Sequence, residues 1–214
     1  LGTLVHFEPP APLLRAELRE RLGLEVSEET AQAAMKAEIA FYRAHLHEGR
    51  DAASLADLRR RAAEAMRPVL ETGEDLTGAL MAALRFRAYP DAAPALRELR
   101  ARGLALVVVS NWDHSLHERL EETGLAPLVD GAVASAELGR AKPDRAIFEH
   151  ALALAGADAG AALHAGDSPD EDVGGALAAG LRAVLVARDG RPPSAAGVPV
   201  IGSLAELPAH CHYA

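Results

Sequence analysis

The sequence predicts an α/β fold, a Rossmann-like parallel-sheet core with an inserted helical-bundle cap. Three observations point to it. From Tyr89 onward, short apolar β-branched runs alternate with helical segments, the pattern of βαβ units in a parallel sheet. Across residues 9–88, apolar positions recur at helical spacing and no convincing strand pattern appears. At the end of one core strand stands Gly166-Asp167-Ser168-Pro169-Asp170-Glu171-Asp172, four acidic residues within six positions. Such a turn needs either a cation or exposure to water.

The helical stretch reads first. Leu13, Leu14, Leu18 and Leu22 share one face, as do Ile39, Tyr42 and Leu46, then Leu55, Leu58 and Ala62. Ser27-Glu28-Glu29-Thr30 and Thr72-Gly73-Glu74-Asp75 mark helix starts or the breaks before them. Roughly four helices are expected. The core begins again at Tyr89-Pro90, with a helix over 91–102 that ends at Gly103. Strands are expected over 104–109, 132–135, 161–165, 181–187 and 198–201. Helices are expected over 114–122, 144–154, 171–179 and 204–207, the second opening just after Pro143. The front of the chain, Leu1 to Val5, reads as the end of a strand that began earlier, and the first residue is Leu rather than Met. The expectation is a natural chain that extends upstream. The domains are then 1–8 with 89–214 as the core and 9–88 as the helical insert.

Composition narrows the function. With 214 residues and 50% hydrophobic, the chain can bury one sizeable core with a module inserted. Aromatics are 4%, so Ala, Leu and Val must build that core. A formal net charge of −9 argues against binding a nucleic-acid backbone. An anionic substrate would need local positive charge. The single cysteine, Cys211, rules out a disulfide within the chain and a Cys-based zinc site. No apolar run approaches a membrane span, and with no signal peptide in view a cytoplasmic location is expected.

The polar residues at strand ends carry the chemistry. Asp167 and Asp172 could face one pocket, and hard oxygen ligands without nearby Cys or His suit Mg²⁺. The alternative is a solvated acidic turn with Asp170 as a helix N-cap. Ser110-Asn111-Trp112-Asp113 follows a strand and precedes a helix. A hydroxyl there, with free backbone N–H groups, suits a phosphoryl oxygen. Ser110 and Asp113 could instead merely cap the helix. Lys142, in Gly139-Arg140-Ala141-Lys142-Pro143-Asp144, is one of only two lysines against twenty arginines. It reads either as a required point charge or as a surface residue.

Taken in order, these features resemble the haloacid dehalogenase (HAD) superfamily, over essentially the whole chain. Gly2-Thr3-Leu4 looks like the tail of that family's first motif, Asp-x-Asp-Gly-Thr. Residues 104–111 are similar to the second motif, Lys142-Pro143-Asp144 to the third, and 166–172 to the fourth. The helical stretch lies where the family inserts its C1 cap. The resemblance implies a Mg²⁺-dependent phosphatase acting on a small phosphorylated metabolite through an aspartyl-phosphate. It places the nucleophilic Asp two residues before Leu1. It assigns Mg²⁺ to Asp167, Asp172 and the Leu1 backbone carbonyl, and catalytic roles to Thr3, Ser110 and Lys142. Phosphate would be bound by Ser110, Asn111 and Lys142. Monomer and homodimer are both open.

Leu1 departs from the pattern, for it stands where the family has a second Asp that protonates the leaving group. General acid assistance is worth about 10² to 10⁴ in rate. His6 is the nearest ionisable substitute, although it also reads as part of the entry to the cap. The 2-haloacid dehalogenases lack that second Asp as well, but an acidic Asp167 would repel a substrate carboxylate in a metal-free site. A phosphonoacetaldehyde hydrolase would need a cap lysine, and Lys36 is the candidate. A degenerate binding protein is the remaining alternative. In the cap, Arg15, Arg85 and Arg87 are candidates to hold an anionic tail, and otherwise read as solvated helix faces.

Overall fold

The computed structural model describes residues 1–188, 190 and 197–211; the expected end of the core at 214 lies outside them. The chain forms two compact units, Phe7–Phe86 and Leu1–His6 with Arg87–Ala214. Two short strands, β1 (Val5–Phe7) and β2 (Phe86–Ala88), form a two-stranded sheet.

The helical unit contains α1 (Pro10–Leu22), α2 (Glu28–His45), α3 (Ala52–Glu64), the single turn α4 (Arg67–Leu70) and α5 (Thr77–Ala83). Ser27 caps α2 by accepting from Thr30 N, and Asp51 caps α3 through a reciprocal pair with Ser54. Leu14, Leu18, Met35, Met66 and Leu80 are fully buried together with small alanines. The alanines let α1 and α2 approach closely, which is how a chain so poor in aromatics closes a core.

The second unit is the sheet layer. It contains α6 (Ala92–Ala101), β3 (Val107–Ser110), α7 (Leu116–Glu122), β4 (Gly131–Ala134), α8 (Ser135–Leu138), α9 (Arg145–Ala155) and β5 (Leu163–Gly166). A π-helical turn over Pro169–Gly174, α10 (Gly175–Ala178), β6 (Arg182–Val186) and β7 (Val200–Ile201) follow, then a 3₁₀ stretch over Leu204–His210. β3 and β4 run parallel, with Ser110 opposite Ala134. β5, β6 and β7 also run parallel, with Gly166 opposite Leu185. Ile147, Phe148, Val173, Ala176, Ala183 and Leu185 pack α9 and α10 onto the strands.

Three expectations are corrected. Leu1 to Val5 is not a strand. Gly2 N donates to Val5 O across a turn with Gly2 at φ +87°, and the strand starts at Val5. The helix expected over 171–179 starts two residues early as a π-turn, because Ser168 is the cap, accepting from Glu171 N. Asp170 is exposed and caps nothing there. α8 was not anticipated, since four residues carry no periodicity to read.

Candidate active site

The carboxyl ends of β3 and β5 place the polar residues. Asp167 leaves β5 directly, and its Oδ1 accepts from the Thr3 hydroxyl at 2.6 Å. Gly2 lies against the same carboxylate, and a Cβ there would overlap it. Its positive φ also favours glycine, so two independent constraints fall on one residue.

Lys142 is built in from its backbone outward. The Asn111 side chain donates to Lys142 O at 3.0 Å and accepts from Lys142 N at 2.7 Å. The ammonium then donates to Val109 O at 3.1 Å and to Asp172 Oδ1 at 2.5 Å. Both partners are nearly buried, with side-chain exposures of 9% and 6%. His164 Nε2 lies 2.9 Å from the same Asp172 oxygen, and Ser168 N donates to Oδ2 at 2.9 Å. Burial pushes the Asp172 carboxyl up, but the His164 hydrogen bond and the Lys142 charge outweigh it and hold the group well below the usual carboxylate range. Gly166 is small of necessity, because a Cβ on it would run into the Asp172 carboxylate.

The acidic run thus divides. Asp167, Asp170 and Glu171 are exposed, while Asp172 is buried. One run of like charge contains an ion-paired anchor and three solvated carboxylates.

Leu1, Thr3, Ser110, Asn111, Lys142, Asp167 and Asp172 all line a single cavity of about 820 Å³. At the carboxyl ends of β3 and β5 its lining is polar, with Ser110, Asn111, Asp167 and Ser168. Its apolar lining includes Val107 and Val109 of β3 and Leu163 and Ala165 of β5. Among the described residues β3 pairs only with β4, and β5 only with β6, so both strands present an edge of backbone groups beside this cavity.

Other candidates are placed elsewhere. Arg15 donates to Val26 O, and Arg85 pairs with Glu17 at 3.3 Å, both within the helical unit. Arg87 and Lys36 are exposed. Asp113 accepts from Ser115 N and Ser115 Oγ, a turn-closing role. His6 packs its ring 5.0 Å from Tyr89. Sequence reasoning missed His164 and the side-chain role of Asn111. For His164 a signal existed, since it stands two residues before Gly166 on a strand and so shares its face.

Parallel strands with polar residues at their carboxyl ends, in a chain that also carries an inserted helical bundle, define a Rossmann-like core of the hydrolase kind. A family model described as "haloacid dehalogenase-like hydrolase" matches residues 2–180, and the chain belongs to that family. A phosphoserine phosphatase of Thermus thermophilus is 40% identical over 126 residues, 58% of this chain and 51% of the relative. An (S)-2-haloacid dehalogenase of Burkholderia cepacia is 32% identical over 143 residues, 64% of this chain and 62% of the relative. The chain spans about half the length of the curated phosphoserine phosphatase it matches. Among solved structures, a 2-haloacid dehalogenase of Pseudomonas syringae is similar at TM-score 0.65 and 27% identity, over 97% of this chain and 93% of that one. A HAD phosphatase of Thermococcus onnurineus shares the fold at TM-score 0.67 and 24% identity, over 98% and 94%.

Proposed function

We propose that this chain is the core and C1 cap of a Mg²⁺-dependent phosphatase for a small phosphorylated metabolite. The observation that carries this reading is the Lys142 ammonium, pinned between Val109 O and Asp172 in the cavity that Ser110, Thr3 and Asp167 also line. In a chain of net charge −9, this is a fixed, nearly buried cation beside a hydroxyl and a carboxylate. It suits a phosphoryl group approached by an anionic nucleophile. The names of relatives agree with it, a phosphoserine phosphatase among them. A ribulose-1,5-bisphosphate 5-phosphatase of Halopiger xanaduensis is 35% identical over 97 residues.

The nucleophile in this reading is an Asp two residues before Leu1. The donors present fit Mg²⁺ in kind. They are oxygens only, the Asp167 carboxylate and the Leu1 backbone carbonyl. Among the described residues no group of three or more His, Cys, Asp and Glu forms a metal site. The set would be completed by the proposed Asp and by the waters Mg²⁺ ordinarily keeps. When bound, Mg²⁺ would offset the charge between nucleophile and phosphate. Asp172 would act only in support of the metal ligands, since three donors already hold its oxygens. Ser110 and the Asn111 backbone N–H would hold the transferring group, and Thr3 would orient Asp167.

A second reading, a 2-haloacid dehalogenase, is favoured by Leu1 at the general-acid position and by the Burkholderia relative. Asp167 weighs against it, because an exposed carboxylate there would repel a 2-haloacid. One experiment separates the two. The full-length protein is offered phosphate monoesters with and without Mg²⁺, and 2-chloropropionate with EDTA. Mg²⁺-dependent phosphate release and trapping of a beryllofluoride adduct are expected. Chloride release that EDTA leaves intact would overturn the phosphatase reading. Among the described residues no helix is long and apolar enough to cross a membrane.

A further inference from the structure

Arg188, one residue beyond β6 and its following Ala187, uses its guanidinium on four residues in two separate segments. Nε donates to Gly2 O at 3.1 Å and Nη2 to Thr3 O at 2.7 Å. Nη1 and Nη2 also fork onto the two oxygens of Asp91, at 3.0 and 2.9 Å. The guanidinium carbon lies 3.7 Å from the centre of the Tyr89 ring. Asp91 in turn accepts from Ser203 Oγ at 2.6 Å and Leu204 N at 2.9 Å. Burial pushes the Asp91 carboxyl up, yet the Arg188, Ser203 and Leu204 hydrogen bonds bring it down to about 2. Arg188 is itself only 16% exposed.

The two carbonyls it holds belong to the residues that matter at Asp167. Gly2 lies against that carboxylate and Thr3 donates to it. Their turn closes through Gly2 N to Val5 O, and Tyr89 N donates to Leu4 O. A planar fork can bridge two carbonyls and a carboxylate at once, whereas an ammonium cannot. Stacking on Tyr89 fixes the plane of that fork.

We propose that Arg188 is a positioning residue, a clamp that sets the Gly2–Thr3 turn and through it the orientation of Asp167. It does not line the cavity. Its effect on metal affinity rests on the Mg²⁺ reading of the site, but its effect on the turn does not.

The test uses Arg188→Lys, Arg188→Met and the double variant Arg188→Met with Asp91→Asn. The double variant leaves no carboxylate without its cation and isolates the clamp from the ion pair. Amide exchange by NMR at Gly2 and Tyr89 is compared with Leu185 of β6, and Mn²⁺ affinity is followed by electron paramagnetic resonance. In the double variant exchange at Gly2 and Tyr89 is expected to rise about tenfold or more while Leu185 is unchanged. Mn²⁺ affinity is expected to weaken about tenfold to a hundredfold. Arg188→Lys should recover melting temperature but not exchange protection. If Gly2 and Tyr89 exchange as in the unmodified chain, or if lysine restores their protection, the clamp is wrong. If the unmodified chain binds no Mn²⁺, the metal reading fails, and the exchange data still decide the clamp.

Discussion

The Asn111 side chain binds both backbone groups of Lys142, donating to the carbonyl at 3.0 Å and accepting from the N–H at 2.7 Å. The residue after the β3 hydroxyl therefore fixes where the candidate phosphate-binding cation begins. Two motifs thirty-one positions apart are joined by a single side chain.

Asn111→Leu removes both contacts and leaves two partly buried backbone groups unpaired. Each such loss costs about 1–3 kcal/mol, and part of it falls on the position of Lys142. A drop in kcat/KM of about tenfold to a hundredfold is expected with the fold intact, measured on a phosphate monoester beside a circular dichroism melt.

Asp172→Ala leaves the Lys142 ammonium nearly buried without its anion. Breaking a buried pair by removing one partner typically costs about 3–5 kcal/mol. Lys142→Met with Asp172→Leu should recover much of that stability in urea unfolding and none of the activity. The pH dependence has a sign. The Asp172 carboxyl lies below its ordinary range when folded, so its contribution is present above the unfolded pKa of about 4 and is lost as pH falls below it. The Asp172→Leu double variant should lose that acid-side slope.

Glu38 lies in α2 of the helical unit with 4% of its surface exposed, and burial raises its carboxyl to about 7. Here the folded state holds the proton more tightly than the unfolded state. Stability should therefore fall as pH rises from about 4.5 to about 7 and level off above that. Glu38→Gln should flatten this slope. At pH 8 it should be the more stable protein, by on the order of 3 kcal/mol at most, read from denaturant midpoints across the pH range.

Thr3→Val removes the hydroxyl that donates to Asp167 Oδ1 and nearly preserves volume. Hydrogen bonds to charged groups contribute about 1.5–3 kcal/mol. Mg²⁺ affinity, by calorimetry on the full-length protein, should weaken about tenfold, while Ser110→Ala should leave it unchanged and lower phosphate release.

Much of the candidate site was legible as a set of residues that line one cavity, because they sit at strand ends, where a break in the apolar pattern is visible. Val109 to Ser110 is such a break, as is Ala165-Gly166 to Asp167. His164 sat inside an apolar run, where its place two residues before Gly166 was the one local sign of it, and its pairing with Asp172 is a tertiary fact. Arg188 was hidden for another reason. Nothing local marks one arginine among twenty, and its partners lie nearly the whole chain away at Gly2 and Thr3.

By itself the sequence determined the parallel-sheet core, the helical insert and the residues that meet at the cavity, because periodicity and strand-end polarity are local properties. Only the tertiary structure decided how the four carboxylates of the acidic turn divide. Asp172 turns inward over Gly166 to meet Lys142 and His164, while Asp167 turns outward to Thr3. Burial and ion pairing distinguish two aspartates that share one short turn, and both depend on which distant side chains the fold brings beside each.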